Sequence, residues 1–418
     1  MKTKYKKRMY GLATLLIIFM VGTTALAKGL TENSMSIEDR VKSGAVPIGE
    51  VIVCPPTLLV TNTDNAGCGS LRMVINDASP GDTVRFDSSL NGDTIFLTTG
   101  QISIMKSLVI IGNGRDSTII SGSDTNRIFF MDTTTTVFLC SMTLRNGNSS
   151  YEIVQDGGAI YFNGNLNLKD ILIEDNYADD EGGGIYGSDT SGTLVIRNTT
   201  ISDNYADDEN GGGMNFQGDT LFISHTEVVN NFANNDGGGL YADAQYIWLD
   251  SLNVKNNYVE DDGGGVYLTA SYIGMYNSSI GENYSEDRAG GGDLNADTIF
   301  LNNLEVYEND ADDFSAGGLE IDALYADIRN SRIIDNRAER DGGGMEIDAN
   351  HLVMDSMLFA DNYADEHGGG LYVEGQHIEI TNSRFTTNEA DSDGGGIYAD
   401  GEKIELNNIV IDSNESNN

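Results

Sequence analysis

The sequence predicts an all-β fold, a single-stranded parallel β-helix of about 26 residues per rung with a short helix capping its N-terminal end. Three observations predict it. Glycine-rich triplets recur through the chain, their third residues being Ala159, Gly184, Gly213, Gly239, Gly265, Gly292, Gly318, Gly344, Gly370 and Gly396, most often 26 residues apart. An asparagine column runs in phase with them: Asn176, Asn204, Asn231, Asn257, Asn283, Asn309, Asn336, Asn362, Asn388 and Asn414. Between the two, apolar residues alternate with polar ones at the two-residue period of a strand, with no helical stripe among them. One such rung cannot bury its apolar side alone, but rungs stacked about 4.8 Å apart build a continuous core.

Residues 1–27 read as a secretory signal peptide. Five basic residues open it, an apolar run too short to cross a membrane comfortably follows, and Ala25-Leu26-Ala27 offers small residues for cleavage. A retained anchor is the other reading of that run, and no later stretch is apolar enough for a membrane helix. Residues 28–50 are polar and patternless, a flexible leader. Residues 51–150 form the cap and the first rungs: Leu71, Val74, Ile75 and Ala78 share one helical face, Pro80 follows, and apolar runs from Thr83 to Leu144 read as strands. The helix is expected to cover the otherwise open edge of the first rung.

Residues 151–418 are the regular repeats, each read as three short inward-facing strands. Counting back from the marker asparagine, positions −10, −8 and −3 are apolar, as in Ile247, Leu249 and Val254 before Asn257. After the glycines the alternation resumes, with Val266 and Leu268 or Leu371 and Val373 pointing inward, and Asp293 standing at a usually apolar position. The marker asparagines are expected to stack into a hydrogen-bonded ladder at one corner. A second corner holds Asn198, Asn277, Asn303, Asn330, Asn382 and Asn408, with Asp170, His225, Ser251 and Ser356 in the other rungs. Cys140 is placed on one strand face with Phe138 and Met142, as a buried small hydrophobe. Cys54 and Cys68 flank a short segment and are candidates to pair, which would add about 3 kcal/mol.

The formal charge is −41, and removing the five bases of the signal peptide takes it to −41 − 5 = −46. Such a surface repels phosphates and anionic membranes, so nucleic acid is excluded as a partner. The nine segments between a marker asparagine and the next glycines carry 22 acids against Arg288, Arg337 and Arg340, and stacking gathers them into one ridge. One reading is a solvated edge that discourages aggregation. The other is weak, multiple Ca²⁺ binding, with Asp179, Asp180, Asp207, Asp208, Asp261, Asp262, Asp391 and Asp393 as hard oxygen ligands, though no EF-hand loop is present. None of His225, His351, His367 and His377 has a metal-ligand spacing. Beside the ridge an outward column collects Tyr161, Tyr186, Asn215, Tyr241, Tyr267, Leu294, Glu320, Glu346, Tyr372 and Tyr398. Its tyrosines either serve an exposed strand surface or engage sugar rings.

Gly157-Gly158-Ala159-Ile160, with Phe359-Ala360-Asp361-Asn362 and Phe385-Thr386-Thr387-Asn388, resembles the GGA(I/L/V) and FxxN repeats of polymorphic outer-membrane proteins. The stretch from Asn62 to Asp87 is similar to the start of many secreted bacterial right-handed β-helix proteins. This resemblance covers about residues 55–414. It implies a right-handed, pectate-lyase-like solenoid, secreted or held at a bacterial cell surface, with adhesion as its role. The partners it implies are an extracellular polysaccharide or a surface protein. The chain ends at Asn418 after its last repeat, so no translocating β-barrel is expected within it.

The same fold carries polysaccharide lyases and glycoside hydrolases, which makes a carbohydrate-active enzyme the alternative. A lyase needs a base, and a hydrolase needs two carboxylates at a set separation. The irregular rungs from 283 to 346, with Arg288, Asp293, Arg332, Arg337 and Arg340, are where such groups are expected. Asn62-Thr63-Asp64 resembles part of a polygalacturonase signature whose partner motifs do not follow. Acids repeated rung after rung, instead of gathered at one odd rung, favour binding over catalysis.

Overall fold

The computed structural model describes residues 57–417. The signal peptide, the leader and Cys54 lie outside the described residues, while Cys68 is exposed and unbridged. The described chain is a right-handed parallel β-solenoid of about 14 turns with one α-helix. That helix, Leu71–Asp77, begins where the Ser70 hydroxyl accepts the Met73 N–H at 3.3 Å. Leu71 and Ile75 are buried beneath it, it packs against the strand Thr57–Val60, and Arg72 ties it to the carbonyls of Gly100 and Gln101.

Successive rungs pair in parallel, as Leu240–Lys255 does with Met214–Val229 on one side and with Val266–Tyr276 and Ser279–Gly281 on the other. The expected inward positions are the core. Leu221, Ile247, Ile273, Ile299, Ala326, Leu352 and Ile378 stand in one register and are fully buried. Each large aliphatic side chain so removed from water contributes about 1.5–3 kcal/mol. The expectation of three short strands per rung needs correction. In the regular rungs the first two run together as one strand, such as Met345–Asp355, followed by Leu358–Ala360 and Tyr363–Ala364. The chain bends between two faces without leaving the ladder, and only small residues fit the bend: Gly218, Ala244, Ala270, Ala296, Ala323, Ala349, Gly375 and Gly401 share that register.

Besides the first residue of each glycine-rich triplet, two left-handed residues per rung make the sharp corners. One set is the second corner of the sequence pattern, from Asp170 to Asn408, with φ between 47° and 60°. The other immediately precedes each marker asparagine, from Asp175 to Ser413. These turns aim the marker asparagines inward, where Nδ2 of each donates to Oδ1 of the next in an unbroken ladder from Asn176 to Asn414. The glycine triplet has its own steric reasons. Gly263 takes φ +73°, and a Cβ on Gly264 would lie 2.3 Å from the carbonyl oxygen of Gly290 in the next rung.

Two sequence expectations fail for local backbone reasons. In the rung after Gly265 the triplet is Ala289-Gly290-Gly291, with Ala289 in the left-handed conformation, and Gly292 fills the inward position between Val266 and Leu319. Asp293 is therefore the outward residue, and Leu294 is fully buried in line with Leu268 and Ile321. In this rung the GGG identity therefore lies one residue out of step with the backbone register. Cys140 is half-buried on the outer side because Val137 and Leu139 point inward, and the left-handed Ser141 resets the alternation before the buried Met142.

Candidate functional site

Three outward features stand on this scaffold, and the ridge is the first. Its loops stack by backbone hydrogen bonds, such as Asp208 N–H to the Asp179 carbonyl, Glu366 to Arg340 and Ser392 to Glu366, each at 2.9 Å. Just inside it runs an aromatic stack that the sequence reading missed: Tyr177, Tyr205, Phe232, Tyr258 and Tyr284 follow the ladder asparagines, with centroids 4.5–5.5 Å apart and nearly parallel planes. Their phenols donate to ridge carboxylates one rung on, Tyr177 to Asp207, Tyr258 to Glu286 and Tyr284 to Asp312. Burial and these acidic acceptors together push the phenol pKa values up. Part of the ridge is thus bound internally.

Of the eight acids read as calcium ligands, Asp261 and Asp262 join Asp236 in a group of metal-binding size. Asp262 is also held by Arg288, while Asp179 accepts from Gln155 and Asp391 from Asn417. Asp180, Asp207, Asp208 and Asp393 fall in no such group among the described residues. Of the histidines, His367 stands in a group of that size. Stacking places its Nδ1 2.8 Å from Asp341, with Glu366 beside them, although no spacing within the chain announces the group.

The second feature is the tyrosine column, whose register runs Tyr161, Tyr186, Asn215, Tyr241, Tyr267, Asp293, Glu320, Glu346, Tyr372, Tyr398. Tyr241 stacks on Tyr267 at 5.3 Å and Tyr372 on Tyr398 at 5.0 Å, both with nearly parallel planes. Their faces cover one another, so their edges turn outward, and the Tyr372 hydroxyl donates to Glu374 at 2.6 Å. Tyr161 lies between Phe130 and Tyr186, under the buried guanidinium of Arg127 at 5.3 Å, and Tyr186 is itself buried. The column's gap is a run of three acids. Burial, then repulsion from Glu320 and Asp262, pushes Asp293 up to about 8. Burial pushes Glu346 up to about 7 and raises Glu320, which Arg288 approaches at 3.5 Å.

The arginines of the irregular rungs are all engaged. Arg337 faces Asp310, Asp312 and Glu339; Arg340 faces Glu366; Arg332 faces Glu305. Asn62 and Asp64 build a local turn, with Asp64 N–H donating to Asn62 Oδ1.

The third feature is an aromatic surface on the next face of the same strands, centred on Trp248 and Gly274. Its residues occupy the outward positions −11, −9 and −7 relative to the marker asparagine, legible in "YIWLD" and "YIGMY" once those positions are lined up.

With the geometry in place, the class is a right-handed parallel β-helix, and residues 223–385 match the family model described as right-handed β-helix region. Residues 170–188 match the repeat of the Chlamydia polymorphic membrane protein family, so the chain is a β-helix with a polymorphic-membrane-protein-like repeat. No curated protein and no solved structure matches the chain. Among the described residues no helix is long and apolar enough to cross a membrane.

Proposed function

We propose that this chain is a secreted or surface-displayed adhesive β-helix that binds an extracellular polysaccharide or surface protein along its outward tyrosine column. The observation that carries the reading is the register itself. Tyr241 and Tyr267, and again Tyr372 and Tyr398, set their phenol edges one rung apart along the solenoid beside the ridge. Phenol hydroxyls repeating at about 4.8 Å suit a partner that is itself repetitive and rich in hydroxyls, and they contribute hydrogen bonds in place of ring stacking. The test is retention of a polysaccharide by the parent chain and by Tyr241→Ala/Tyr267→Ala, with circular dichroism as the folding control. Retention that falls while the spectrum holds supports the reading, and unchanged retention removes the tyrosine column from it.

The ridge has its own role in this reading, as a site of weak Ca²⁺ binding. Asp236, Asp261 and Asp262 are the group in position to hold the ion, and burial with mutual repulsion pushes Asp236 up to about 6. A divalent cation would relieve that repulsion. Catalysis would instead require a free base or a pair of carboxylates that shortens the polysaccharide, so product analysis in the same experiment separates the two classes.

A further inference from the structure

The aromatic surface lies past the small-residue bend, one face on from the tyrosine column. Trp248, the chain's one tryptophan, stands in register with Phe222 before it and Gly274 after it, and Phe300 follows. Trp248 stacks on Tyr276 at 4.7 Å, and Tyr272 and Phe300 approach at 5.7 Å. Gly274 is buried beneath them, and a Cβ there would lie 3.0–3.3 Å from the rings of Tyr276, Tyr272 and Trp248. Glycine therefore lets the rings come down onto the sheet, while all four aromatic side chains stay half-exposed. The hydroxyls of Tyr272 and Tyr276 meet at 3.4 Å within the surface.

Charge selects the occupant. The charged groups at the border are Asp327, which binds Arg329 at 2.6 Å, Asp250, in register with Tyr276 and accepting from Asn277 at 2.8 Å, and Arg197, over Phe222 at 5.1 Å. On a chain of net charge −41, an anionic partner is repelled from the whole molecule, and a cationic one is drawn to the ridge instead of to this face. Half-exposed rings with two hydroxyls at their centre suit a ligand with apolar ring faces and many neutral hydroxyls. We propose that the surface built on Gly274 by Trp248, Tyr272, Tyr276 and Phe300 is a binding site for an uncharged polysaccharide. This rests on the polysaccharide reading above and gives it a second face and a ligand class.

Because Trp248 is the only tryptophan, its fluorescence reports this face alone. The full chain is titrated with hexasaccharides of β-1,4-glucan, α-1,4-glucan and β-1,4-mannan, with oligogalacturonate of equal length as the anionic control. The expected result is a saturable change in Trp248 emission with at least one neutral sugar and none with the anion. Phe300→Ala and the milder Tyr276→Phe are expected to weaken it, the first by about tenfold. Polysaccharide retention that persists with no response at Trp248 would overturn this site and leave the tyrosine column standing. Loss of retention in every form of the experiment would sink both, and a response to the anion equal to that of the neutral sugars would overturn the ligand class.

Discussion

Alanine in place of Asn257 is expected to destabilise the solenoid by about 4 kcal/mol, and the figure follows from what the side chain holds. Asn257 is almost fully buried, and its Nδ2 donates to Asn283 Oδ1 and to the Val228 carbonyl, both at 3.0 Å. Its Oδ1 accepts from the backbone N–H of Asn231 at 2.9 Å and from that residue's Nδ2 at 3.0 Å. Four bonds worth about 1 kcal/mol each are lost, and the Asn231 N–H is left buried with no replacement acceptor. The matched comparison is Asn277→Ala at the exposed corner. There the side chain bonds Asp250 and Asn303, water can substitute, and the main cost is about 1 kcal/mol for alanine at a left-handed φ of 51°. Urea unfolding followed by circular dichroism and by Trp248 emission, one rung segment away, reads both variants. If Asn257→Ala loses no more than Asn277→Ala, the ladder is not what holds the corner and the reasoning is wrong.

Three further outcomes are expected. Asp236, Glu346 and Asp293 hold their protons up to about 6, 7 and 8, above the ordinary carboxylate range, so the folded state binds protons that the unfolded chain releases. Their contribution is lost as pH rises from about 4 to about 8; the melting temperature should fall across that window, and Asp293→Asn should gain a widening advantage of about 2 kcal/mol at pH 8 after allowance for its partial exposure. A melting temperature that rises steadily from pH 5 to 8 would contradict this. Ala316→Gly relieves a left-handed alanine at φ 61° but removes a fully buried methyl and frees the unfolded chain, opposing effects of about 1 kcal/mol each, so the urea midpoint should stay within the equivalent of about 0.5 kcal/mol; a larger loss refutes the relief at the turn. Millimolar Ca²⁺ should raise the melting temperature, EDTA should reverse the rise, and Asp236→Asn should shrink it, whereas a melt indifferent to all three leaves the ridge as a solvated edge.

The period and the inward positions were legible because burial repeats along the chain with the strand's own period, as at Ile247, Leu249 and Val254. The asparagine ladder was legible because one residue type held one corner in ten rungs. What was misread turned on backbone geometry that residue types do not report. The left-handed Ser141 put Cys140 on the outer side, and the left-handed Ala289 allowed Gly292 to take an aliphatic place, moving Asp293 outward and Leu294 into the core. What was missed lies between rungs. His367 meets Asp341 only because 26 residues close one turn, and the rings around Gly274 become a surface only when three outward positions from neighbouring rungs are superposed.

The measurement that bears most directly on the whole account is size-exclusion chromatography of the purified chain with a panel of neutral and anionic polysaccharides, following protein and sugar together, with and without Ca²⁺. The account predicts that an uncharged polysaccharide of unchanged length co-elutes with the protein. Shortened chains would mean an enzyme, and would direct attention to Asp293, Glu320 and Glu346; sugars that all elute apart from the protein would contradict a polysaccharide ligand and turn the search to a surface protein.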